Sequence, residues 1–157
     1  MKTIPEMNME FLNTDFLDDG EIRLVLKAQK QADPARNRVP AYLFYITDRQ
    51  RGRVGTCDLR VGWIDPLYYS GHIGYEVDEA YRGHHYAAKA CRLLFGLAKK
   101  HGMQYVLITC RPDNIASRKT CEYAGCRLVE IAELPPDHEL RTESGHTHEC
   151  IYRYYLT

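Results

Sequence analysis

No CxxC pair joins any of the six cysteines, Cys57, Cys91, Cys110, Cys121, Cys126 and Cys150, which lie scattered through 157 residues. That spacing gives no sign of a zinc or thioredoxin-like motif. No apolar run approaches the ~20 residues that cross a bilayer. The start, MKTIPEMNMEFLNTDFLDDG, carries several acids and no apolar core, unlike a signal or transit peptide. A cytoplasmic protein with reduced thiols and no membrane partner is therefore expected. A surplus of one charge is missing too, since 21 Lys and Arg balance 21 Asp and Glu. Counterion-release binding needs excess cations, so no nucleic-acid partner is expected. Neither GxGxxG nor the Walker pattern GxxxxGKS/T occurs, which leaves NAD and ATP sites without support. Repeats and low-complexity tracts are also absent.

What remains is ordinary globular composition, 45% apolar and 27% charged. A chain of this length buries ~70% of its unfolded surface and needs no metal or disulfide to stand. We expect an N-terminal arm over 1–20 and one domain over 21–157. Ile22, Leu24, Leu26 and Ala28 alternate with polar residues, as in a half-buried strand. Strands around Tyr42–Ile46 and Gly55–Val61 flank the turn DRQRG, an antiparallel hairpin. HIGYEV predicts a fourth strand. Ala87, Ala90, Leu93, Leu94, Leu97 and Ala98 then form one helical stripe, closed by Lys99, Lys100 and Gly102. QYVLITC is a continuous apolar run, a strand covered on both faces. Strand, helix and buried strand predict a βαβ unit. A short helix over Ile115–Ala124 and strands over 126–131 and 150–156 complete an α/β domain.

The stretch VDEAYRGHHYAAKA places Gly83 where a strand gives way to a helix, and the small Ala87 in the first helical turn. Unpaired amides and a partial positive charge at such an end attract phosphate. By itself Gly83 reads equally well as a loop residue. The chain continues through an apolar strand into RPDNIASRKTCEYAGC. Together these segments resemble the GNAT superfamily of acetyl-CoA-dependent N-acyltransferases. The first is similar to its pyrophosphate signature R/Q-x-x-G-x-G/A. The second is similar to its D-N-x-x-S helix, closest to the branch of ribosomal-protein N-terminal acetyltransferases.

The resemblance implies a GNAT fold, a mixed and mostly antiparallel twisted sheet of six to seven strands with helices on both faces. It implies acetyl-CoA as cosubstrate and direct transfer to a primary amine, without an acyl-enzyme. The backbone around Val77 is expected to pair with the pantetheine arm. The amides of Arg82, Gly83, His84, His85, Tyr86 and Ala87 are expected to cradle the pyrophosphate. Asn114 and Ser117 are expected to touch the pantetheine or its phosphate. Asn114 also suits a plain helix cap and Ser117 a solvated surface position. Two departures stand out. His85 replaces the family's central glycine, and is expected to be helical, so that its Cβ is tolerated. Cys121 occupies the position of the tyrosine that reprotonates the thiolate in many members, where water is the alternative donor.

An amine of pKa ~10.4 is neutral at pH 7 only at a cost of ~4.6 kcal/mol, so transfer needs a base. His72 and Glu76 share one face of the fourth strand, with His72 nearest the family's glutamate. A packed histidine and a salt-bridged glutamate are the plainer readings of that pair. The tail carries Glu133, Asp137, His138, Glu139, Glu143, His146 and His148. It reads as a solvated acidic loop, suited as a lid for a cationic acceptor, rather than as a metal site. Arg60, Trp63, Tyr68 and Tyr69 line the other side of the acceptor pocket, or else form a packed cluster or dimer contact. The acceptor is a small-molecule amine or a peptide N-terminus, and a homodimer stays open. The alternative function is a catalytically silent acyl-CoA-binding sensor or scaffold.

Overall fold

The computed structural model describes residues 8–156. Among these residues, seven strands lie in two antiparallel sheets rather than one. The first, ordered β1-β2-β3-β4, holds β1 (Ile22–Lys30), β2 (Ala41–Asp48), β3 (Gly52–Arg60) and β4 (Ile73–Val77). The second, ordered β5-β7-β6, holds β5 (Tyr105–Cys110), β6 (Arg127–Glu133) and β7 (His148–Tyr155). The helices are α1 (Leu67–Ser70), α2 (Tyr86–Lys100), α3 (Ile115–Tyr123) and α4 (Glu139–Thr142).

β2 is the clearest product of period-two patterning, with Tyr42, Phe44 and Ile46 fully buried. Its turn into β3 is fixed by Asp48, whose Oδ1 accepts from the amides of Gln50 and Arg51 at 2.8 and 3.0 Å. β1 departs from the expected alternation. A bulge between Leu26 and Ala28 shifts the register, and Leu26 is left 39% exposed. α2 buries its predicted stripe together with Cys91 and Phe95, except for Leu93, which is half-buried. Its last turn carries Lys99 and Lys100, where the helix dipole favours cations.

Residues 1–7 of the expected arm lie outside the described residues. The remainder packs closely. Leu17 is fully buried, the Leu12 amide donates to the Tyr42 hydroxyl at 2.8 Å, and Phe11 meets the Tyr42 ring edge-on at 5.0 Å. The tail is not the solvated loop expected from its polarity. Leu134 and His138 are buried, α4 interrupts it, and the Leu140 carbonyl accepts from the His146 amide at 2.9 Å. Polar composition hid these anchors because each is a single residue among acids.

The expected βαβ unit is present in chain order but not as a strand ladder. β4 and β5 meet at one point, where the His72 amide donates to the Leu107 carbonyl at 2.7 Å. The Leu107 amide then donates to His72 Nδ1 at 3.0 Å. An imidazole thus stands where a ladder would place a carbonyl, and regular pairing ends there. Beyond it the strands join different sheets, and a cleft opens between them.

Candidate active site

The cleft has a volume of about 1230 Å³. One wall is β4 with the start of α2, and the other is formed by β5, α3 and the start of β7. The Asp78 amide donates to Val54 of β3 at 2.8 Å. By strand alternation, the main-chain groups of Tyr75 and Val77 therefore face the open edge. Arg82 Nε donates to the Val77 carbonyl at 3.2 Å and steadies that edge.

At the end of this wall the chain turns through Gly83 (φ 93°) and His85 (φ 60°) into α2. Among the described residues, no group accepts from the amides of residues 83–88, and the first helical bond runs from Lys89 to His85 at 3.0 Å. Six donors are therefore free at a helix N-terminus, as an anion requires. Tyr86 anchors the loop from below, its hydroxyl donating to Asp48 Oδ2 at 2.7 Å. His85 is not helical, contrary to expectation. Entering α2 after the Gly83 turn needs a left-handed residue, and His85 takes it while its ring stacks on Tyr123 at 4.0 Å.

On the facing wall, Asn114 caps α3, its Oδ1 accepting from the Ser117 amide at 3.1 Å, and both residues line the cleft. Cys121 does not. It is fully buried, and its hydrogen bond with Cys110 together with burial raises its pKa. Tyr75 from β4 reaches the same place. Its hydroxyl lies 2.5 Å from Ser117 Oγ and 3.9 Å from Cys121 Sγ, and both Tyr75 and Ser117 line the cleft. The sequence reading missed it because Tyr75 belongs to the other face of β4 from Glu76.

His72 and Glu76 are not brought together as a catalytic pair. His72 is 2% exposed and absent from the cleft lining. With Nδ1 accepting from Leu107, Nε2–H donates to the Gly62 carbonyl at 3.0 Å. Burial holds its pKa down at about 4. Both nitrogens are engaged, so its role is to join the two sheets, a correction of the expected base. Glu76 is exposed, lines the cleft, and forms no ion pair among the described residues. Beside it Gly74 gives room to an ion pair, because a Cβ there would come within 2.6 Å of Asp58 Oδ1. Asp58 and Arg60 pair at 3.2 Å, and Arg60 also donates to the Ser70 and Gly71 carbonyls at 3.0 and 2.6 Å. Of the proposed aromatic lining, Trp63, Tyr68 and Tyr69 stay outside the cleft. Tyr68 bonds Glu130, and Tyr69 packs edge-on against His138 at 5.4 Å. No cluster of metal-ligating side chains occurs among the described residues.

Solved structures share this fold at low identity. An acetyltransferase (GNAT family) from Bacillus anthracis is 19% identical, with a TM-score of 0.57 over 73% of this chain and 66% of that one. The ribosomal-protein-S5-alanine acetyltransferase from Vibrio fischeri is 18% identical, with a TM-score of 0.58 over 74% and 62%. The microcin self-immunity acetyltransferase MccE, determined with acetyl-CoA and AMP, is 20% identical, with a TM-score of 0.54 over 73% and 61%. The chain thus spans about two thirds or less of the length of these structures. No curated protein matches it significantly. The family model described as "Acetyltransferase (GNAT) domain" matches residues 4–127. A splayed strand pair, a turn of free amides at a helix start and a family match over most of the sequence converge, and the chain belongs to the GNAT acetyltransferase family.

Proposed function

We propose that this protein moves an acetyl group from acetyl-CoA directly to a primary amine. The observation that carries this is the row of free amides over residues 83–88 at the mouth of a cleft edged by the open side of β4. The amides suit a pyrophosphate, and the Tyr75 main-chain groups and the Val77 amide, which face the open edge, suit an extended amide-bearing arm laid along it as an added strand. Asn114 and Ser117 face that arm from α3.

As the thioester carbon is attacked, the Tyr75–Ser117 hydroxyl pair, which lines the cleft, serves as the proton source. It takes the place expected of Cys121, with solvent restoring the proton. Glu76 contributes negative charge that draws an ammonium toward the cleft. Peptide α-amines head the acceptor class. RimL, a ribosomal L7/L12 α-N-protein acetyltransferase solved with coenzyme A, shares the fold at 22% identity and a TM-score of 0.55 over 73% of this chain and 62% of that one. Small amines follow, and a cytoplasmic setting fits both.

Calorimetric titration with acetyl-CoA, with NAD and ATP as controls, is the first test. Selective binding supports the reading, and mass spectrometry of acetyl-CoA with short peptides and polyamines then seeks the acetylated product. Failure to bind acetyl-CoA removes it. One observation favours the second reading, a silent acyl-CoA binder: His85 puts a stacked ring and strained backbone where the family carries glycine. Binding without transfer to any amine would select that reading.

A further inference from the structure

The second-sheet wall of the cleft carries a pair of side chains that the reading above leaves without a task. Glu149, the second residue of β7, is 2% exposed yet lines the cleft. Its Oε1 lies 2.5 Å from Nδ1 of His146, which lines the cleft beside it and is partly open to solvent. Two anchors hold the imidazole. The His146 amide donates to the Leu140 carbonyl at 2.9 Å, and Glu149 is locked in the β6–β7 ladder opposite Ala132. With Glu149 ionised, Nδ1 carries the hydrogen and Nε2 carries the lone pair. No group among the described residues bonds that second nitrogen.

A buried carboxylate that fixes one tautomer of an imidazole, leaving its other nitrogen free in a cleft, is the arrangement of a general base. β4 cannot supply one from His72, whose nitrogens are both engaged. We propose that His146, positioned by Glu149, takes the proton from the acceptor amine on the wall of the cleft across from Glu76. The assignment rests on the transferase reading above. The ammonium gives one proton to Nε2, and the neutral nitrogen attacks the thioester carbon, forming the new N–C bond. The C–S bond breaks with its electron pair going to sulfur. The attacking nitrogen's second proton is lost to solvent, the thiolate gains one from the Tyr75–Ser117 pair, and the imidazolium returns its own to solvent. The acceptor is thereby assigned to a protonated primary amine entering from the α4–β7 side.

The test uses the full-length protein, acetyl-CoA, and a set of short peptides of differing N-terminal residue together with spermidine. Acetyl-CoA affinity is read by calorimetry and transfer by mass spectrometry. His146→Gln is expected to lower kcat by about 100-fold with acetyl-CoA affinity and thermal midpoint unchanged. Glu149→Gln is expected to slow transfer and move the acidic limb of the kcat/KM profile to lower pH, because the imidazolium loses its carboxylate. Arg111, His138 and Cys110 also face Glu149 and are the same in both proteins, so they do not generate the difference. Glu149→Asp should restore part of the rate and the limb. Full turnover by His146→Gln overturns the assignment, as does a Glu149→Gln rate loss with no movement of the limb. If wild type binds acetyl-CoA but acetylates none of the probes, the base has no reaction to serve and the assignment falls. Absence of acetyl-CoA binding instead removes the transferase reading beneath it.

Discussion

At the scale of single residues, the cleft depends on side chains that do no chemistry. His72 is buried neutral, with a pKa near 4 against 6.5 in the unfolded chain. Below pH 6.5 the unfolded state binds a proton that the folded state refuses, so stability falls as pH drops toward 4. The loss attributable to this group is about 3 kcal/mol over that window, at about 1.4 kcal/mol per unit. Urea unfolding across the window should show a steeper acid dependence for wild type than for His72→Asn, which keeps an acceptor toward Leu107 but cannot titrate. Gly55 is a second such position. A Cβ there would come within 2.3 Å of the Glu76 carbonyl, backbone against backbone, and nothing flexible can yield. Gly55→Ala should cost about 2–3 kcal/mol in denaturant unfolding through forced displacement of β4. At His85 the left-handed backbone makes glycine and alanine separable. His85→Gly should exceed His85→Ala in stability by about 1 kcal/mol, since both lose the Tyr123 stack and only alanine keeps the strain. Equal stabilities would mean that the φ of 60° is not held in solution.

At the scale of elements, local pattern and tertiary demand mostly agree. α2 was legible because its stripe repeats over four turns and each member is a strong signal. β5 was legible because both of its faces are covered. β1 was misread from Leu26 onward, since alternation gives no warning of a bulge set by the partner strand. The N-terminal arm shows no periodicity, yet Leu17 is among the largest fully buried side chains. Leu17→Ala should destabilise by about 3 kcal/mol in thermal or urea unfolding, as for a core leucine. A loosely docked arm would lose far less. α4 and the tail were misread for a related reason, because a few anchors in a polar segment leave no period to detect.

At the scale of the molecule, the decisive feature is the divergence of β4 from β5 after their single meeting at His72 and Leu107. The cleft between the two sheets is lined from both, and the ligand proposed for it would bridge both walls. Acetyl-CoA at about 100 times its Kd should therefore add about 2.7 kcal/mol of stability, read as a rise in thermal midpoint. NAD at the same concentration should leave the midpoint unmoved.

The sequence by itself determined the order of the seven strands and of α2 and α3, the tight turn at Gly83, a cap for α3 and the family. Each of these is written in contiguous residues, whose spacing and conformational preferences act locally. Only the tertiary structure decided which side chains share the cleft. Tyr75 meets Ser117 from forty-two positions away, and Glu149 meets His146 only because β7 is locked to β6. His72 and Glu76 share a strand face, yet one is sealed in a joint and the other stands in the cleft. Sidedness on a strand follows from period two, but burial follows from what the rest of the chain lays against that face.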